Sequence, residues 1–111
     1  MKNNSDKQIL RTLAARYAEI AALPIQEEKR KLWTDHFGLK KTRVPILATY
    51  GMWNVWCREF FGDARMECED PFFRTFERDL KLRIFQHEVV GDDFIQEPWI
   101  TLQASIKGGW G

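Results

Sequence analysis

Val44-Pro45-Ile46-Leu47-Ala48-Thr49-Tyr50 is the run on which the fold class turns. β-Branched and large apolar residues dominate it and Gly51 closes it, which reads as a strand. Pro45 has no N–H to give to a ladder, so the strand begins at an edge or in its first residues. A helical pattern precedes it. Ser5 and Gln8 have the spacing of a capping box and open the periodic set Ile9, Leu10, Leu13, Ala14, Tyr17, Ile20, Ala21. That set predicts an amphipathic helix over about 6–22, stopped before Pro24. Pro24 suits the first turn of a second helix. Glu27 and Glu28 favour its N-terminal end, Lys29, Arg30 and Lys31 its later part, and it ends at Gly38 with Leu32, Trp33 and Phe37 inward. Lys40-Lys41-Thr42 links this helical lead-in, residues 1–42, to the mixed portion, residues 43–111.

Beyond Gly51, the residues Met52, Trp53, Val55, Trp56, Phe60 and Phe61 recur at helical spacing up to Gly62. Residues 63–69 form a polar connection. Asp70-Pro71 then has the form of a carboxylate N-cap followed by proline at the first helical position. It opens a helix to about 89 with Phe72, Phe73, Phe76, Leu80 and Ile84 on one face. Gly91 ends that helix and Asp92-Asp93 make a turn. Phe94 to Gln96 and Trp99 to Ala104 are strand-like around a bend at Pro98. These elements together predict an α/β class.

A chain of 111 residues allows one modest domain, burying about 60–70% of the surface its unfolded form exposes. Five Trp and eight Phe are many rings for so small a core, so some are expected to face a partner, either further protein or another copy of the chain. Seventeen Lys+Arg against sixteen Asp+Glu leave a net charge of +1, which argues against a polyanionic partner. Lys40-Lys41-Thr42-Arg43 is the only basic cluster and lacks the module that would make it a nucleic-acid site. The charges are unevenly spread: residues 26–43 hold six cations and three carboxylates, residues 63–79 three cations and six carboxylates. Two solvated faces or a matched basic-to-acidic contact both fit that distribution. The first residues are not patterned as a signal peptide, no apolar run approaches the roughly eighteen residues of a membrane span, and the two cysteines form no framework. A cytoplasmic protein with reduced thiols is expected.

Standard mechanistic signatures are missing. No GxGxxG, GxxxxGK[ST] or HExxH occurs, and Cys57, Cys68, His36 and His87 are not spaced as a compact metal motif. No bound metal is therefore expected in the segment. Glu97 lies between the apolar pairs Phe94-Ile95 and Trp99-Ile100. It is either a carboxylate aimed into a cavity or a bend residue facing water. Tyr50 and Trp53 either line that cavity or belong to the core.

Three runs carry a resemblance: Ile25-Gln26-Glu27-Glu28-Lys29-Arg30-Lys31-Leu32-Trp33, Leu39-Lys40-Lys41-Thr42-Arg43-Val44-Pro45-Ile46, and Cys68-Glu69-Asp70-Pro71-Phe72 with Glu77-Arg78-Asp79-Leu80 following. With Glu97-Pro98-Trp99 they resemble the N-terminal region of uroporphyrinogen-decarboxylase-like proteins, in the branch grouped with corrinoid-dependent methyltransferases of anaerobes. The resemblance implies the helical lead-in and first elements of an incomplete TIM-type (β/α) barrel, within a parent several hundred residues long. It implies a parent that moves a methyl group from a small donor to a corrinoid partner protein, with zinc as Lewis acid. The ending Lys107-Gly108-Gly109-Trp110-Gly111 fits the expectation of a front portion that is not catalytic alone. The chain departs from the resemblance at Thr49-Tyr50-Gly51-Met52-Trp53, where such relatives carry an acidic Asp-Glu-x-Pro-Trp stretch.

Overall fold

The computed structural model of the chain describes residues 2–48 and 59–100. Helix α1 spans Lys2–Ala21, α2 spans Pro24–Phe37, and a short 3-10 turn covers Asp63–Arg65. Helix α3 spans Pro71–Phe85 and runs on into a π-helical turn, Gln86–Val90. Among the described residues 67% are helical and none forms a strand. The fold is helical, and the α/β expectation, with its incomplete barrel, is corrected.

The correction has a cause in the hydrogen bonding. A strand needs a ladder, and the main-chain groups of residues 46–48 are taken by side chains instead. The Ile46 N–H donates to Asp93 Oδ2 at 2.7 Å and the Ala48 N–H to Asp92 Oδ2 at 2.8 Å. One main-chain bond accompanies them, from the Asp93 N–H to the Ile46 carbonyl at 2.8 Å. In the stretch read as a strand at 94–96, the Phe94 carbonyl accepts from Lys29 Nζ and the Gln96 N–H donates to Gln26 Oε1. The rest of the first expected strand, most of the helix expected at 52–61 and the expected strand beyond Ile100 lie outside the described residues. Residues 59–61 of that helix are helical.

Helix α1 packs along α3, and this contact holds most of the apolar core. Tyr17, Ile20 and Ala21 of α1 are buried with Leu80 of α3, Phe61 and Cys68. The helix starts earlier than its capping box implied. Ser5 and Gln8 lie inside it, and Asp6 is almost completely buried. The stretch between α1 and α2 is tight, with the Leu23 N–H bonded to the Ile20 carbonyl at 3.1 Å, and Pro24 opens α2 as its fixed φ favours. Phe37 and Phe72, expected inward, are 75% and 63% exposed. On α3 the buried positions are Glu77 and Leu80.

The helix ends follow their local chemistry. Asp70 Oδ1 accepts the Phe72 N–H at 2.8 Å, so it is the N-cap that the Asp-Pro pair predicted. The π-helical turn closes with the Gly91 N–H on the Gln86 carbonyl at 2.8 Å, at φ 64 for Gly91, a left-handed conformation in which a Cβ clashes with its own backbone. Helix α2 ends in a Schellman turn: the Leu39 N–H bonds the His36 carbonyl and the Lys40 N–H bonds the Asp35 carbonyl. The left-handed residue of that turn is Leu39, at φ 60, one place after the glycine. It is 94% exposed, so no burial compensates its strain.

Two outcomes follow from these ends. Asp70→Ala removes an acceptor for first-turn amides and is expected to cost about 1 kcal/mol; an unchanged unfolding midpoint contradicts the cap. Leu39→Gly relieves left-handed strain and is expected to stabilise by roughly 0.5–1 kcal/mol, a rise of several degrees in Tm. A fall in Tm contradicts the reading of the turn.

Candidate functional site

The segment 92–100 is held against the helices by side chains from all three of them. The Tyr17 hydroxyl of α1 donates to the Glu97 carbonyl at 2.5 Å. From α2, Gln26 accepts the Gln96 N–H at 2.8 Å, Lys29 Nζ donates to the Phe94 carbonyl at 3.2 Å, and Trp33 Nε1 donates to the Asp93 carbonyl at 2.7 Å. From α3, Arg83 Nη1 donates to both the Tyr17 hydroxyl and the Trp99 carbonyl at 3.1 Å, with its guanidinium 5.4 Å from the centre of the Tyr17 ring. Gln26, Lys29 and Trp33 fall at helical spacing, so one face of α2 delivers all three.

Glu97 sits at the end of this segment. Its Oε2 accepts from Arg30 Nη2 at 2.7 Å, and Arg30 also pairs with Glu27. The bond to Glu97 is the main reason the Arg30 guanidinium is held above its ordinary pKa. The carboxylate is therefore met by a cation on α2. Pro98, Trp99 and Ile100 of the same segment line a mostly apolar cavity of about 270 Å³ with Ala14, Tyr17, Ala18 and Leu80, and Glu97 is not among its lining residues. Tyr50 and Trp53, the other two candidates, lie outside the described residues. Arg30, Tyr17 and Arg83 were not singled out by the sequence. A tyrosine on the apolar face of α1 carried a usable signal, since a buried phenol needs a hydrogen-bond partner.

A second cluster joins Arg43 to the same segment. Its Nη2 and Nη1 bind Asp93 Oδ1 and Oδ2 at 2.6 and 2.9 Å, a two-point pair, while Oδ2 also takes the Ile46 amide. Asp92 bridges the Ala48 N–H and Gln86 Nε2. The Arg43 guanidinium pulls the Asp93 carboxyl down to about 2; burial opposes the shift and the Ile46 amide adds to it.

Two further carboxylates grip the loop before α3. Asp6 Oδ2 takes the Asp70 N–H at 2.9 Å and Asp6 Oδ1 the Glu69 N–H at 3.0 Å. Glu77, fully buried, takes the Glu67 and Cys68 amides at 2.8 Å each and pairs with Lys81 at 2.7 Å. Burial works to raise the Glu77 carboxyl, yet the Glu67 amide and the Lys81 ammonium carry it below its usual range. Cys68 lies against this carboxylate. Burial first, then Glu77, pushes its thiol up to about 12, so it is not an activated nucleophile.

His87 is pushed below its ordinary pKa by burial and by the neighbouring Lys29, and its Nδ1 has no hydrogen-bond partner. The buried side-chain amide of Gln96 has none either. Among the described residues no three His, Cys, Asp or Glu side chains are grouped to hold a metal ion, and no helix is long and apolar enough to cross a membrane. No family model, curated protein or solved structure matches the chain.

The clamps set an acid limit. Asp93 and Glu77 both have folded-state pKa values below their unfolded ones, so each contributes fully above about pH 4 and loses its contribution as pH falls through the folded value, about 2 for Asp93. Asp93→Asn is expected to flatten the fall in unfolding free energy between pH 4 and 2, measured by denaturant titration at each pH. A profile parallel to the parent chain's contradicts the assignment. Glu77→Gln is expected to cost about 1–3 kcal/mol at pH 7 by weakening the grip on two buried amides.

Proposed function

We propose that the chain is the N-terminal helical segment of a uroporphyrinogen-decarboxylase-like protein, whose parent transfers a methyl group from a small methylated donor to a corrinoid protein. One coincidence carries the reading: the residues behind the resemblance are also the joints of the fold. The run 25–33 supplies Gln26, Lys29, Arg30 and Trp33, which hold the 93–97 segment. The run 39–46 ends on Asp93 through Arg43 and Ile46. The run 68–72 is gripped by Asp6 and Glu77. A pattern confined to solvent-facing residues would have no reason to coincide with these joints.

On this reading the segment's work is positional. Its described residues offer no metal site: the Cys68 thiol is buried beside Asp6 and Glu77, and His87 and His36 are not grouped with it. What the segment contributes is the held Glu97-Pro98-Trp99 corner, with its main chain fixed by Tyr17 and Arg83 and its carboxylate oriented by Arg30. A carboxylate fixed in place by a guanidinium acts on the electrostatics of a ligand that reaches the corner more than on packing.

The test uses the full-length parent and the change in corrinoid absorbance on methylation. Transfer from a small methylated donor is expected, and Glu97→Gln is expected to lower turnover or donor affinity several-fold while moving Tm by only a degree or two. Absence of corrinoid methylation contradicts the family reading. A fully active Gln variant contradicts the role of Glu97 alone.

A further inference from the structure

The π-helical turn that ends α3 ties three parts of the molecule together through consecutive residues. Gln86 Nε2 donates to Asp92 Oδ2 at 3.0 Å, and the same oxygen takes the Ala48 N–H. Glu88 Oε1 accepts from Arg16 Nε of α1 at 3.0 Å. Between them, His87 neighbours Lys29 of α2, whose ammonium holds the Phe94 carbonyl. The turn itself is short, and it stops at the left-handed Gly91. Glu88, Val89 and Val90 are exposed, so little packing opposes its opening.

His87 makes that arrangement sensitive to acid. Its Nδ1 is buried without a hydrogen-bond partner. A neutral imidazole tolerates this, because Nδ1 is then a bare lone pair with the ring proton on Nε2. A protonated ring does not, because Nδ1 then carries a buried N–H with no acceptor. The surrounding charges act in the same sense. Lys29 from α2 and Arg16 from α1 both oppose a positive ring, while Glu88 on the turn favours one but is paired with Arg16. Asp92, which reaches the turn from the following segment, is occupied by Gln86 and by the Ala48 and Phe94 amides.

We infer that residues 86–91 form an acid-released latch: a proton on His87 opens the turn, moves the ring into water and frees residues 92–94 from α3, while α1 and α3 stay packed. Burial first, then Lys29, holds the ring below its ordinary pKa. The closed latch is therefore fully stable above about pH 6.5 and loses stability as pH falls through the folded value. This window lies above that of the carboxylate clamps, which hold down to about pH 4. The inference is independent of the methyl-transfer reading, because it uses neither Glu97 nor a parent protein.

Nuclear magnetic resonance of the 111-residue chain tests it. The readouts are the His87 imidazole titration and the protection factors of the Gly91 and Phe94 amides, which bond Gln86 and Asp92. Between pH 7 and pH 5 both protection factors are expected to fall several-fold, with the midpoint of the imidazole titration, while amides inside α1 keep theirs. His87→Gln is expected to remove the pH dependence. Arg16→Gln takes away an opposing cation and frees Glu88, so it is expected to move the midpoint to higher pH. Protection that is flat from pH 7 to pH 5 in the parent chain overturns the latch, as does a fall that survives His87→Gln, or a midpoint that Arg16→Gln leaves in place or lowers. An equal fall across α1 reports general unfolding and overturns it too. If His87→Gln does not fold, the parent chain decides: coincident imidazole and Gly91 midpoints support the latch, and separate ones overturn it.

Discussion

Asp6, Glu77, Asp92 and Asp93 are buried carboxylates whose oxygens end on main-chain amides, and the rest of the structure hangs on that arrangement. Ile46, Ala48, Glu67, Cys68, Glu69 and Asp70 all give their N–H groups to these four side chains. A buried carboxylate without partners is costly; one that accepts main-chain amides has its lone pairs satisfied and ties its own element to the chain segment that donates them. Among the described residues more polar and charged side chains are buried than apolar ones, so apolar packing alone is a thin account of this fold. Apolar contact joins α1 to α3, and the carboxylates attach the irregular segments to that pair.

This division of labour explains why the connecting segments are extended yet form no sheet. In residues 44–48 the groups that would face a neighbouring strand meet aspartate side chains. In residues 93–97 they meet Gln26, Lys29, Trp33 and Tyr17. Each bond links positions dozens of residues apart, so the segments are ordered only when the helices are already side by side.

The sequence was legible where a signal is local. Asp70-Pro71 announced a capped helix, Pro24 a first helical turn and Gly91 a helix end, and all three are found, the last with Gly91 in a left-handed conformation. Where the cause is distant, local pattern misled. Ser5 and Gln8 matched a capping box, but α1 begins before them and the residue between them that matters is Asp6, whose partners lie beyond position 68. Glu77 belonged to an acidic stretch that fits a solvated face and is fully buried. The Asp92-Asp93 pair fits a turn, and nothing within ten residues betrays that it ends two amides near position 47. Glu97 stands out in the sequence by its apolar neighbours, but its partner Arg30 sits in a charged run where several cations are equally available.

The most direct measurement of the central claim is amide hydrogen exchange at Ile46, Ala48, Glu67, Cys68, Glu69 and Asp70. None of these residues lies in a regular element, so without the carboxylates their amides would exchange at the rates of an open chain. The account predicts protection at pH 6 approaching that of the α1 and α3 interiors, with the Ile46 and Ala48 amides released together when Asp93 and Asp92 are replaced by alanine. Open-chain exchange at these six amides in the intact protein, beside protected helices, would contradict it.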